Sequence, residues 1–215
     1  MAPVQRPDNI ATMINGVELY NPDNVSILEE YLSKQCESGE YDLEANLAIL
    51  KLYQFNPTLA KEPIIVKILV KALTAIPAPD FNLCLYLLAE HSDLKSIEKL
   101  TDLQRLLEQA RYAKFWQSDL KPWTAVVPNF ETEIRLVIAR VMAMSYQTIA
   151  ADSLSATLGL SGDAFDTFCQ NQQWQKSGNL VQIPINKDNE AKAVVIRENI
   201  KFEQLTKVIG YSNEM

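Results

Sequence analysis

Glycine, histidine and cysteine are all scarce in this chain. Its 215 residues include six glycines, one histidine and three cysteines. So few glycines leave little material for a phosphate-binding loop, and no motif of that kind occurs. A zinc site would lack ligands, because the single histidine has no cluster of cysteines to join. The sequence therefore predicts neither a cofactor nor a metal.

Signals of catalysis are also missing. The only histidine, His91, follows a leucine-rich helix, and no serine or cysteine stands in a recognisable nucleophile motif. We interpret it as a solvent-facing residue at a helix end. The stretch Gly159-Leu160-Ser161-Gly162 is superficially similar to a nucleophile elbow, but it does not fit GxSxG and no strand leads into it, so a helix cap explains it better. We predict that the protein is not an enzyme.

The cysteines and the apolar runs indicate the compartment. Cys36, Cys84 and Cys169 form no CxxC pair, and no signal peptide opens the chain, which is typical of reduced cytosolic thiols. The longest apolar stretch, 64–76, is interrupted by Lys67 and Lys71 and is too short to span a bilayer. We expect a soluble cytoplasmic protein without a membrane partner, with the nucleus as an additional location.

Positive charge is in deficit. The net charge is −7 and the sequence pI is about 4.9, which argues against a protein whose main task is to neutralise phosphates. An acidic protein can still work in a ribonucleoprotein, through protein contacts or a local basic patch. Lys61, Lys67 and Lys71 are the candidates for such a patch, although we expect them mainly to solvate the edge of a helix.

Apolar residues are plentiful, at 47% of the chain, and the clearest helix signal is the segment 41–57, YDLEANLAILKLYQFNP. Asp42 stands where an N-cap belongs and Pro57 stops the run. Leu43, Leu47, Leu50 and Phe55 fall close to one face, and the opposite side, which includes Tyr53, is nearly as apolar. Such a helix needs neighbours on both sides, so the sequence places Leu43, Leu47, Leu50 and Tyr53 in the structural core.

Helix signals recur in pairs through the first two thirds of the chain. Their spacing of around forty residues is typical of HEAT-like or tetratricopeptide-like stacks, which present long faces to partners. The pattern loosens between residues 112 and 129, where we expect Phe115 and Trp116 to pack in the core of a junction. The alternative is that they form an interface cluster with Trp123.

The spacing of the apolar residues changes after a long helix at residues 130–146. A short extended segment, a helix ended by Gly159, a second helix, a turn at Ser177-Gly178-Asn179 and a strand stopped by Pro184 follow in the order of a winged helix. The predicted fold is thus mostly α. A HEAT-like helical repeat domain occupies residues 1–128, a connecting helix with a small α/β winged-helix domain occupies 129–185, and a C-terminal tail with a terminal helix occupies 186–215.

The charges of the winged helix favour protein over nucleic acid. Its second helix carries Asp163 and Asp166 and no base, whereas groove binding needs several positive contacts. We therefore predict no sequence-specific binding to DNA and a role in protein docking. The candidate partner interface comprises Trp174, Leu180, Val181, Gln182 and Ile183 in the wing and Phe202, Leu205 and Ile209 in the terminal helix. Trp174 fits the core equally well, and the terminal helix packs either within the chain or in a bundle with other chains.

The segment 41–57 also carries a resemblance. With Leu19-Tyr20-Asn21-Pro22-Asp23-Asn24 before it and Lys71-Ala72-Leu73-Thr74, Phe115-Trp116 and Ser145-Tyr146-Gln147 after it, the chain resembles the k-subunit family of eukaryotic translation initiation factor 3. The similarity covers roughly residues 15–174.

The resemblance implies a non-catalytic subunit of a cytosolic complex that assembles initiator tRNA and mRNA on the small ribosomal subunit. It further implies contact with other subunits, especially the l subunit, and no active residue. The family shares its helical and winged-helix architecture with subunits of the proteasome lid and the signalosome. A scaffold subunit of those complexes is therefore one alternative, and a winged-helix regulator that binds nucleic acid is another.

Overall fold

The first part of the chain is a stack of α-helices. The computed structural model describes residues 6–89, 94–191 and 202–213. The stack comprises α1 (Asp8–Ile14), α2 (Val25–Ser38), α3 (Leu43–Phe55), α4 (Glu62–Leu73), α5 (Asp80–Leu87), α6 (Lys95–Glu108), α7 (Tyr112–Gln117) and α8 (Lys121–Val126). Apolar faces of α2, α4 and α5 pack around α3, so the helix with the strongest sequence signal is also central in space.

Helix α3 begins and ends as the sequence predicts. The Asp42 carboxylate accepts a hydrogen bond from the Ala45 backbone N–H, which caps the N-terminus. Leu50 and Tyr53 are fully buried, and Leu43 and Leu47 are half-buried against the same core. Phe55, which the helical period placed beside the leucines, is 60% exposed. It is the last helical residue, and its ring meets the half-exposed ring of Tyr20 edge-on, with centroids 5.7 Å apart.

The predicted junction at 112–129 is a packed corner made of α7 and α8. Phe115 is fully buried and lies 6.4 Å from the ring of Phe130, which opens helix α9 (Phe130–Ser145). Trp123 is buried as well, and Trp116 is half-buried. Most of the surface of these side chains is therefore buried within the protein.

The winged-helix order also matches the expectation. Strand β1 (Thr148–Ala150) leads into α10 (Ala151–Leu158) and α11 (Gly162–Asn171), and β2 (Gln175–Ser177) and β3 (Leu180–Gln182) form the hairpin. The three strands make one antiparallel sheet in the order β1-β3-β2, with Val181 paired to Ile149 on one side and Lys176 on the other. The fold class, mostly α with a small α/β part, is confirmed.

The last described helix, α12, spans Phe202–Asn213. Leu205 and Ile209 on it are exposed. Over the described parts of the chain, every helix is too short or too polar to reach across a lipid bilayer.

Candidate interaction surfaces

Burial removes three residues from the candidate interface in the wing. Trp174, Val181 and Ile183 are at most 6% exposed, so their side chains offer almost nothing to a partner. The physical reason is the two-residue alternation of strand β3, which turns Val181 inward between two exposed neighbours. Trp174 packs edge-on against Phe168, with ring centroids 6.2 Å apart. It is therefore a core residue of the winged helix.

The wing retains two exposed members of the set and one open edge. Leu180 is 50% exposed and Gln182 is exposed beside it. Because β3 is the central strand, β2 forms an outer edge of the sheet, and all three of its residues are exposed. An edge strand presents a row of backbone groups that can pair with a strand of another protein.

Helix α12 supplies a second surface. Leu205 is 45% exposed, Ile209 is 58% exposed and Tyr211 is more exposed still. The side chain of Phe202, the third tail residue in the sequence-based set, lies outside the described residues. Exposed apolar side chains spaced four apart on a helix are typical of a surface that docks on another protein.

A close joint fixes the winged helix to the helical stack. The Trp116 indole N–H of α7 donates a hydrogen bond of 2.8 Å to the Thr157 carbonyl at the end of α10. Arg135 of α9 stacks on the same ring, 4.7 Å from its centroid, and donates to the Leu158 carbonyl. These two side chains satisfy carbonyls that the end of α10 leaves without helical partners. The joint holds α7, α9 and α10 in one arrangement.

Gly159 makes this joint possible. It ends α10 with a φ of +61°, and a Cβ at this position would lie 2.7 Å from the Trp116 ring. The stretch 159–162 that superficially resembled a nucleophile elbow thus works as a helix end. No larger residue fits there without a shift.

The winged helix carries little free positive charge. Helix α11 has no base, and Lys176 of β2 donates a 2.7 Å hydrogen bond to the Asp166 carboxylate. That hydrogen bond raises the pKa of Lys176 above its usual value. Since Lys176 is already paired with Asp166 of α11, this face is a poor binding site for phosphates.

The lysine patch proposed from the sequence does not form. Lys71 is fully buried, and its Nζ lies 3.5 Å from a Glu133 carboxylate oxygen of α9. Lys61 pairs with Glu29, and Lys67 donates to the Ser33 hydroxyl, both on α2. The expectation that all three solvate a helix edge was therefore wrong for Lys71, because its helix turns that face toward α9.

The described part of the chain contains no cluster of residues that would hold a metal. Its three cysteines are buried free thiols, and burial raises the pKa of Cys84 to about 12, with a further contribution from Asp80. A thiol of this kind stays protonated at neutral pH and is a poor nucleophile. His91 lies outside the described residues.

Sequence reasoning missed two features. It assigned no contact between Gly159 and Trp116, although glycine at a helix end was a visible signal. It also overlooked the exposed pair Arg111 and Lys114, which α7 places at the corner of the stack.

Together, the helical stack, the winged helix with an open edge and the exposed terminal helix define a mostly α-helical protein with a small α/β winged-helix part. The chain belongs to the CSN8/PSMD8/EIF3K family, whose sequence model matches residues 59–195. It is 41% identical to the eukaryotic translation initiation factor 3 subunit K of Botryotinia fuckeliana, over 97% of this chain and 95% of that protein. The subunit K proteins of Neurospora crassa and Cryptococcus neoformans are 40% and 38% identical, again over more than nine tenths of both chains.

Proposed function

We propose that this protein is a non-catalytic subunit of translation initiation factor 3. The observation that carries the proposal is the similarity to subunit K proteins, which spans 97% of the chain at 41% identity. In this proposal the protein works in the cytoplasm as a docking module during assembly of the pre-initiation complex on the small ribosomal subunit. Its main neighbour would be the l subunit.

The described surfaces support docking over chemistry. The outer edge of β2 and the apolar residues of α12 are accessible, whereas the thiols are buried. We infer that other subunits pair with the β2 edge near Leu180 and Gln182, or join α12 in a bundle of helices.

Affinity isolation of the tagged protein from cells, followed by mass spectrometry, tests the proposal. We expect subunits of initiation factor 3, with the l subunit among them, together with the small ribosomal subunit. Recovery of proteasome-lid or signalosome subunits in their place would contradict it and support the alternative that the family description also allows.

A pair of substitutions tests the role of α12. Leu205→Asp with Ile209→Asp places two charges on the exposed apolar positions, and we expect the protein to leave its complex while remaining a folded monomer. Tyr86→Asp is the control, because Tyr86 is 76% exposed on α5, in another part of the chain. Retention of the double variant in the complex would exclude α12 as the docking surface.

The three-part division at residues 128 and 185 also belongs to the proposal. The first boundary falls between Val126, the last residue of α8, and Phe130, the first of α9. Limited proteolysis tests it: cleavage near either boundary supports the division, and cleavage only within the helices contradicts it.

A further inference from the structure

One corner of this acidic protein carries a local excess of positive charge. Residues 109–121 carry three bases, Arg111, Lys114 and Lys121, and one acid, Asp119. The net charge of this segment is +2. Because the whole chain has a net charge of −7, all other residues together carry −9. The corner formed by α7 and α8 therefore differs in sign from its surroundings.

Seven other cations in the described part of the chain are already paired. Arg6, Lys34, Lys61, Lys71, Arg105, Arg135 and Lys176 each lie within 4.0 Å of a carboxylate. Arg111 and Lys114 are exposed and have no such partner among the described residues. Their charge is available to another molecule.

The two side chains converge on one depression. Arg111 and Lys114 line it together with Ala110, Ala113 and Thr157, and its volume is about 490 Å³. The backbone beneath is fixed, because the Arg111 N–H donates to the Leu106 carbonyl at 2.8 Å and Phe115 anchors α7 in the core. The Trp116 contact with Thr157 holds the far wall. The site is thus a depression whose lining combines two cations with methyl-bearing side chains.

We propose that this corner binds a short acidic segment of a partner protein. Two unpaired cations match one or two carboxylates, and methyl groups between them suit a neighbouring apolar side chain. Single-stranded RNA fits less well, because Tyr112, which also lines the depression, is only 7% exposed and has no free face for stacking a base. A long polyanion would also meet the exposed acids Glu108 and Asp119 on either side. The inference rests on the proposed function only in that the partner belongs to the same complex.

Zero-length cross-linking of the native complex tests the contact directly. A carbodiimide joins an amine to a carboxylate only when the two touch, so we expect the Lys114 amine to form an amide with an Asp or Glu of another protein. Linkage of Lys114 to its own chain alone, or no linkage, would overturn the proposal. Ultraviolet cross-linking of RNA to residues 109–121 would also overturn it, in favour of a nucleic-acid contact.

Charge reversal supplies the matched comparison. Arg111→Glu with Lys114→Glu is expected to weaken binding of the cross-linked partner about tenfold at physiological salt, mainly through slower association, because two exposed ion pairs are replaced by repulsion between like charges. The control is Arg140→Glu with Lys187→Glu, which makes the same change in net charge at two other exposed cations without described carboxylate partners. Equal effects of the two pairs would show a general effect of charge and would refute a site at this corner.

The two proposals fail separately. Absence of initiation factor subunits from the wild-type isolate contradicts the proposed function. Their presence without a Lys114 cross-link to another protein contradicts only the acidic-segment site.

Discussion

At the scale of single residues, the most crowded of the glycines is Gly159, which lies against Trp116. The glycine has a left-handed backbone and the indole ring occupies the space of its missing side chain. Both features select glycine, and each has its own energetic cost when the residue is changed.

Gly159→Ala should therefore destabilise the protein by about 2–4 kcal/mol, the sum of backbone strain and overpacking. The free energy of unfolding in urea measures it. Gly178→Ala is the control, since Gly178 has the same φ of +61° but open space around it, and we expect about 1 kcal/mol. Equal losses at the two positions would mean that the ring of Trp116 moves aside freely.

The buried Lys71 gives an asymmetric prediction. Removing its partner with Glu133→Gln leaves an uncompensated charge in the core and should cost about 3 kcal/mol. Lys71→Met removes the charge and keeps an apolar chain of similar length, so we expect little loss or a gain in stability. Urea unfolding of both variants and of the double variant provides the measurement. A larger loss for Lys71→Met than for Glu133→Gln would contradict this account.

At the scale of elements, the start of α3 is a polar hub. Asp42 accepts two hydrogen bonds from Arg6, at 2.7 and 2.8 Å, and one from the Ala45 N–H. Gln35 of α2 accepts from the Asp42 N–H and donates to Asn46. The N-terminal segment, α2 and α3 are thereby tied together around Asp42.

This hub predicts a dependence of stability on pH. Burial by itself raises the pKa of Asp42, but the hydrogen bonds from Arg6 and Ala45 outweigh it, and the net pKa is lowered. A lowered pKa in the folded state stabilises the protein fully above the unfolded value of about 3.9. That contribution is lost as the pH falls through the folded pKa.

Urea unfolding at about pH 7 and about pH 3 measures this effect. Asp42→Asn should lower the stability at neutral pH and flatten its decline in acid. Asp188→Asn, at an exposed carboxylate near the end of the wing, serves as the control and should leave the decline intact. An unchanged acid decline in Asp42→Asn would exclude Asp42 as its source.

The elements themselves were largely predictable. The helical period of the apolar residues, together with residues that start or end a helix, located α3 and α10. Asp42, Pro57 and Gly159 have this effect through the local backbone, so their role is visible in the sequence. The interior of the wing was harder. Alternation in a strand of three residues is too short to show from sequence which side faces the core, so Val181 and Ile183 were counted in the candidate interface and Trp174 was left open between interface and core.

At the scale of the whole molecule, the buried apolar residues form one continuous cluster. It extends from Ile10 of α1 to Ile183 beyond β3 and passes through Phe115 and Phe130 at the corner. The Trp116 joint reinforces it with hydrogen bonds across the corner. Helical stack and winged helix therefore share one core.

We accordingly expect one cooperative unfolding transition, with circular dichroism and tryptophan fluorescence giving the same midpoint in urea. Trp116→Leu, which removes the hydrogen bond and the stacked ring, should separate the two midpoints or lower them together. Two separate transitions in the wild-type protein would show that the winged helix is an independent folding unit.

The sequence alone determined the helical class, the order of the winged helix and the membership of a known family, because these follow from local period, capping residues and the string at 41–57. Only the tertiary structure decided which polar and aromatic side chains are accessible to a partner. It buried Lys71 against Glu133, turned Trp174 inward and left Arg111 and Lys114 unpaired. Burial and ion pairing depend on contacts between residues far apart in the chain. The periodicity of a single helix or strand does not predict such contacts.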